Sequence, residues 1–85
     1  MIAVPGGARP RKHSLKIAGH RTSISLEDAF WTALRDIAQE ERRPLGEIVA
    51  EIDGARGASG LSSAIRVYVL SRYRERAGGE HAKSA

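Results

Sequence analysis

Gly19–Phe30 reads GHRTSISLEDAF. Thr22 and Ile24 share one parity, and Arg21, Ser23 and Ser25 share the other. Successive side chains of a β-strand point to opposite faces, so a short strand is predicted here, with one apolar and one polar face. A different period then begins. Leu26, Phe30, Ala33, Leu34, Ile37 and Ala38 recur at three- and four-residue spacing, the stripe of an amphipathic helix reaching about Arg42. Ser25 is placed to cap that helix, and Glu27 and Asp28 suit the positive end of its dipole. A strand with one apolar face does not stand alone in water. No second strand is evident in the chain, so its partner is expected to be another copy.

Upstream, the parity is awkward. Leu15 and Ile17 would lie on the opposite face from Thr22 and Ile24 if the strand ran straight through. Either Gly19 marks a bulge or bend that restores one apolar face, or the strand covers only Arg21–Ser25. Residues 1–13 have no periodicity and read as a flexible arm carrying Arg9, Arg11 and Lys12. Downstream, Pro44 ends the first helix and can open a second, with Leu45, Ile48, Val49 and Ile52 as its stripe. The glycine-rich GARGASG that follows is a loop. Leu61 to about Arg76 is a third helix, apolar on most sides around AIRVYVL, with Ile65 in its core. AGGEHAKSA, residues 77–85, reads as a disordered tail. Trp31 falls beside the first stripe, at an edge of the core or a dimer contact.

Composition narrows the function. At 85 residues the chain holds one domain, small enough that oligomerisation is an expected source of stability. It has no cysteine, which removes disulfides and thiolate metal sites and fits a cytoplasmic location. No apolar run approaches a membrane span, and the start is too short in apolar residues, with charges after them, for a signal peptide. Net charge is +4, unevenly spread: +5 over residues 1–21, −5 over 22–53, and +4 over 54–85. A basic start before an acidic middle points to a polyanion-facing end.

Catalysis finds little support. His13, His20 and His81 have no Ser, Asp or Glu at recognisable spacing on a rigid element, and adjacent acids such as Glu27/Asp28 and Glu40/Glu41 do not face each other on a helix. The glycine loop lacks the Walker lysine. A metal at His13 and His20 would need ligands from elsewhere. No enzyme activity, metal or cofactor is therefore expected. What remains is binding. A two-stranded ribbon fits the DNA major groove, and Arg21, Ser23 and Ser25 would offer guanidinium and hydroxyl groups to base edges. Lys16, Arg42, Arg43, Leu45 and Gly46 are the candidates for phosphate, the last two through free N–H groups at a helix start.

The order strand, helix, short turn, helix in RTSISLEDAFWTALRDIA and RRPLGEIVAEI resembles the ribbon-helix-helix DNA-binding family, exemplified by the Arc and MetJ repressors. IAGHRTSISLE, AEIDGARG and LSSAIRVYVL further resemble a compact bacterial subgroup with an added third helix. The resemblance implies a mostly α fold with one short β-strand. It implies an intertwined homodimer with an intersubunit antiparallel two-stranded ribbon, plus the third helix. It implies double-stranded DNA as partner, with Arg21, Ser23 and Ser25 reading bases and Thr22 inward. Ile24, Phe30, Leu34, Ile37, Ile48, Ile52 and Ile65 would form the dimer core. GLSSAIRVYVLSRY also resembles a family second helix, which would make residues 44–53 an insertion. A repressor is the expected output. An antitoxin that grips a toxin, or a metal- or anion-responsive repressor, are the other readings, and the apolar third helix leaves room for a tetramer.

Overall fold

Ala18 and Gly19 both adopt positive φ, 50° and 85°. Two consecutive residues of this kind make a type I′ turn, whose twist suits a tight antiparallel hairpin. Ala18 bears the steric cost of the left-handed region, whereas Gly19 has no Cβ to strain. The turn folds β1 (Pro10–Ile17) back on β2 (His20–Glu27), paired from Ile17↔His20 out to Pro10↔Glu27. The computed structural model describes residues 9–84, with side-chain surroundings to residue 77. Three helices follow the hairpin: α1 (Asp28–Glu41), α2 (Leu45–Ala55) and α3 (Leu61–Ser84).

The expectation of one short strand with a partner in another copy is therefore corrected: one chain supplies both strands of the ribbon. Pro10–His13, read as part of a flexible arm, belong to β1, while residues 1–8 of that arm lie outside the described residues. The strand escaped the sequence pattern because polar groups fill its inward positions. Arg11 reaches back to the Asp28 carboxylate at 3.2 Å. His13 stacks on Trp31, ring centroids 4.2 Å apart and 11° from parallel. The parity conflict dissolves with the turn. Two loop residues between Ile17 and His20 invert the parity, so Leu15 and Ile17 share a face with Thr22, Ile24 and Leu26.

That face rests on the helices. The core comprises Ile17, Ile24, Leu26, Leu34, Ile37, Ala38, Ile48, Val49, Ile52, Ile65 and Val69, with Phe30 and Trp31 half-buried against it. Ile24, Leu34, Ile37, Ile48, Ile52 and Ile65, expected in a dimer core, are buried within a single chain. At about 25 cal/mol per Å² of apolar surface, each fully buried Leu or Ile contributes roughly 1.5–3 kcal/mol to this packing.

Helix boundaries differ in ways that matter for the ribbon. β2 continues to Glu27, the extended N-cap of α1, so Leu26 is a fully buried strand residue and Ser25 does not cap. α1 closes with Arg42 in the left-handed region (φ 55°), its N–H on the Gln39 carbonyl and that of Arg43 on the Ala38 carbonyl. Pro44 caps α2, as its fixed φ suits. α3 runs on to Ser84, through most of the expected tail, where Ala77, Glu80, Ala82 and Lys83 are good helix formers.

α2 starts hard against β1. A Cβ on Gly46 would collide with the Lys16 carbonyl oxygen, so only glycine permits this approach. Gly46→Ala is expected to lower unfolding free energy by on the order of 1–3 kcal/mol, the usual cost of overpacking. A urea titration checks this, and an unchanged midpoint would contradict the close approach.

Candidate nucleic-acid interface

The ribbon's second face turns away from the core. Lys12, Ser14 and Lys16 on β1 stand opposite Ser25, Ser23 and Arg21 on β2, and all six are exposed. A two-residue turn makes Ile17–His20 a hydrogen-bonded pair, which puts these three outward pairs at the alternate, non-hydrogen-bonded positions. There the side chains of opposite residues come closest. Hydroxyls meet at the centre, Ser14 against Ser23. Cations meet at the turn end, Lys16 against Arg21. Directly opposed like charges destabilise a sheet, and neither residue, nor Lys12, makes an ion pair among the described residues. A bound polyanion would relieve that repulsion.

Glu27, at the far end of β2, has the same outward parity as this face. It is held by Arg66 of α3 through two parallel hydrogen bonds, 2.8 and 3.0 Å. Beside it, the Ser62 hydroxyl donates to the Ser25 carbonyl at 2.6 Å. The Arg66 hydrogen bonds, and after them the residue's own backbone N–H, hold the Glu27 carboxyl below its ordinary 4.5; burial opposes them, and the charge of Arg66 adds a smaller push downward.

The predicted base-reading residues Arg21, Ser23 and Ser25 thus stand together on one exposed strand face. The predicted phosphate residues do not stand together. Lys16 joins the ribbon face opposite Arg21. Arg43 is committed to carboxylates: 2.8 Å from Glu47, 3.7 Å from Glu41, and paired with Glu51. Arg42 is exposed and has no ion pair among the described residues. Leu45 packs half-buried against the core, and Gly46 faces the Lys16 carbonyl, so close packing against β1 already occupies this side of the helix start. Lys12 and Ser14 were missed. Their shared parity with Lys16 was the available signal, hidden because Arg11 and His13 break the apolar alternation on the other face.

Elsewhere, an open groove of about 330 Å³ lies between α2 and α3, walled by Ile52, Ala55, Ala64, Val67 and Tyr68. Among the described residues, no three His, Cys, Asp or Glu gather as a metal site. Nor is any helix there long and apolar enough to cross a membrane.

Residues 10–73 match the model of the ribbon-helix-helix domain, a span that includes both ribbon strands and all of α1 and α2. The chain belongs to the ribbon-helix-helix family. No curated protein and no solved structure gives a match. Ribbon-helix-helix proteins are typically DNA-binding regulators rather than enzymes, and the matched span contains the whole cationic ribbon face and the Glu27–Arg66 pair.

Because the folded Glu27 carboxyl is depressed, its pair contributes fully above the unfolded value of 4.5, and that contribution is lost as pH falls through the lower folded value. The difference in melting temperature between wild type and Glu27→Gln should therefore be steady near neutral pH and close in acid. A difference that persists unchanged at about pH 2 would contradict the pairing.

Proposed function

We propose that this ribbon-helix-helix chain is a sequence-specific DNA-binding regulator acting in the cytoplasm. In this reading it lays the outward face of its β1–β2 ribbon in the major groove. The observation that carries the reading is the composition of that face: three cations and three serines, with Lys16 and Arg21 directly opposed. Arginine can bond guanine through two donors, and serine hydroxyls can donate or accept with several bases. Arg21, Ser23 and Ser14 are the base readers in this account, and Ser25 joins them because its hydroxyl is not used as a helix cap. Lys12 and Lys16 supply charge toward phosphate, and exposed Arg42 adds to it. Arg43 is removed from the phosphate set because three carboxylates hold it.

Repression, including of the chain's own gene, is the proposed output, and a homodimer is the proposed binding unit. Support for a second copy comes from α3, where Val67 and Leu70 are 64% and 55% exposed beside the α2–α3 groove. The same apolar surface favours the antitoxin reading, in which a toxin covers it. The mass of the purified protein in solution, with and without a co-expressed neighbouring gene product, separates the two.

Arg21→Ala should weaken binding at a preferred site by roughly 1–3 kcal/mol, whereas Lys12→Ala should weaken all sequences alike and reduce the salt slope by about one. Gel-shift titration across a salt series on DNA selected from a random pool measures both. Failure of the wild type to retard any DNA at low salt would overturn the reading.

A further inference from the structure

Beyond the burial of Leu26, the side-chain hydrogen bonds that tie the far end of β2 to the rest of the molecule come, among the described residues, from α3. Arg66 grips Glu27 with two hydrogen bonds, and the Ser62 hydroxyl takes the Ser25 carbonyl. These contacts are not part of the buried apolar core, in which no polar side chain is buried. They join residues 37 and 39 positions apart, so they are tertiary contacts and not features of one helix. Ser25 occupies a non-hydrogen-bonded ribbon position, whose carbonyl points off the strand edge and away from the partner strand. Ser62 therefore closes an edge that would otherwise be open. Glu27 has the outward parity of Arg21, Ser23 and Ser25, so its carboxylate would stand at the margin of the cationic face were Arg66 not holding it. A guanidinium meeting a carboxylate through two parallel donors fixes orientation as well as distance.

We infer that Arg66 is a positioning residue for DNA reading: acting through Glu27, and seconded by Ser62, it fixes the end of β2 so that Ser23 and Ser25 are presented in register. This rests on the DNA-binding reading above. It gives α3 a task beyond closing the core. A chain with an equally stable body but a loosened clamp should still be drawn to DNA by charge and should read it less well. The distinction from a purely electrostatic role is one of sign. Glu27→Gln removes a negative charge beside the cationic face, which by charge alone would strengthen binding. It also weakens the clamp, which should reduce discrimination.

The test uses the full chain with Arg66→Ala, Arg66→Lys and Glu27→Gln. Circular dichroism first establishes that each variant is folded. Affinity is then measured for a DNA site selected by the wild type and for a scrambled duplex, at one salt concentration. Arg66→Ala and Glu27→Gln are each expected to lower the ratio of the two affinities about tenfold, the scale of losing one charge-assisted hydrogen-bonded pair, with binding to the scrambled duplex held or raised. Arg66→Lys, which keeps the charge but not the two-donor geometry, should fall between. Hydrogen exchange in the free protein should show faster exchange confined to the end of β2 and the start of α1. A ratio that stays at the wild-type value in folded Arg66→Ala, or rises in Glu27→Gln, overturns the inference. If the wild type binds no DNA, the functional reading fails by itself, and exchange still decides the clamp: unchanged exchange at Ser25–Asp28 in Arg66→Ala refutes it.

Discussion

The two-residue turn at Ala18–Gly19 governs the rest of the architecture. By reversing the chain there, it sets Ile17 against His20 and thereby the register of every pair beyond. One slip of a residue would exchange the two faces of a strand. The observed register places Ile17, Ile24 and Leu26 in the core and leaves Lys12, Ser14, Lys16, Arg21, Ser23 and Ser25 outside. The apolar face is thus completed within one chain. So is the outward one, which gives each chain a whole two-stranded face of three cations and three serines.

The helices then secure the ribbon from both edges. On the β1 edge, Gly46 lets α2 approach the Lys16 carbonyl. On the β2 edge, Ser62 of α3 bonds the Ser25 carbonyl. Both carbonyls belong to non-hydrogen-bonded ribbon positions, which direct their polar backbone groups outward. An exposed strand edge invites pairing with another chain, and covering it with a helix is one way to prevent this. The same contacts that support the ribbon therefore also block parts of the edges along which a second copy would add a strand. Arg72 with Glu41 and Arg76 with Glu40 join α3 to α1 further along, so the long helix is tied to the ribbon at one end and to α1 beyond it.

Much of this was legible in the residues. The alternation in RTSIS gave β2 and its faces, and the three- and four-residue spacing gave α1, because in both cases the buried positions are apolar. β1 was illegible for a physical reason. Arg11 and His13 occupy the inward-parity positions, Arg11 hydrogen-bonded to Asp28 and the His13 ring stacked on Trp31, so hydrophobic periodicity has nothing to detect. The turn was veiled as well, since Ala18 is an unusual tenant of the left-handed region and Gly19 alone suited a bulge equally well. At the candidate interface, Arg21, Ser23 and Ser25 followed from parity. The commitment of Arg43 to Glu41, Glu47 and Glu51 did not, because it depends on how α1 meets α2. Nor did the Glu27–Arg66 pair, whose partners lie 39 residues apart.

The claim that one chain closes its own ribbon is tested most directly by nuclear magnetic resonance on a mixture of isotope-labelled and unlabelled protein. Opposed Cα protons approach closely at non-hydrogen-bonded positions, so Ser14 and Ser23 should give a strong contact. This contact is expected within the labelled chain and should be absent from spectra filtered for contacts between labelled and unlabelled chains. A Ser14–Ser23 or Ser23–Ser23 contact seen only between chains would contradict it.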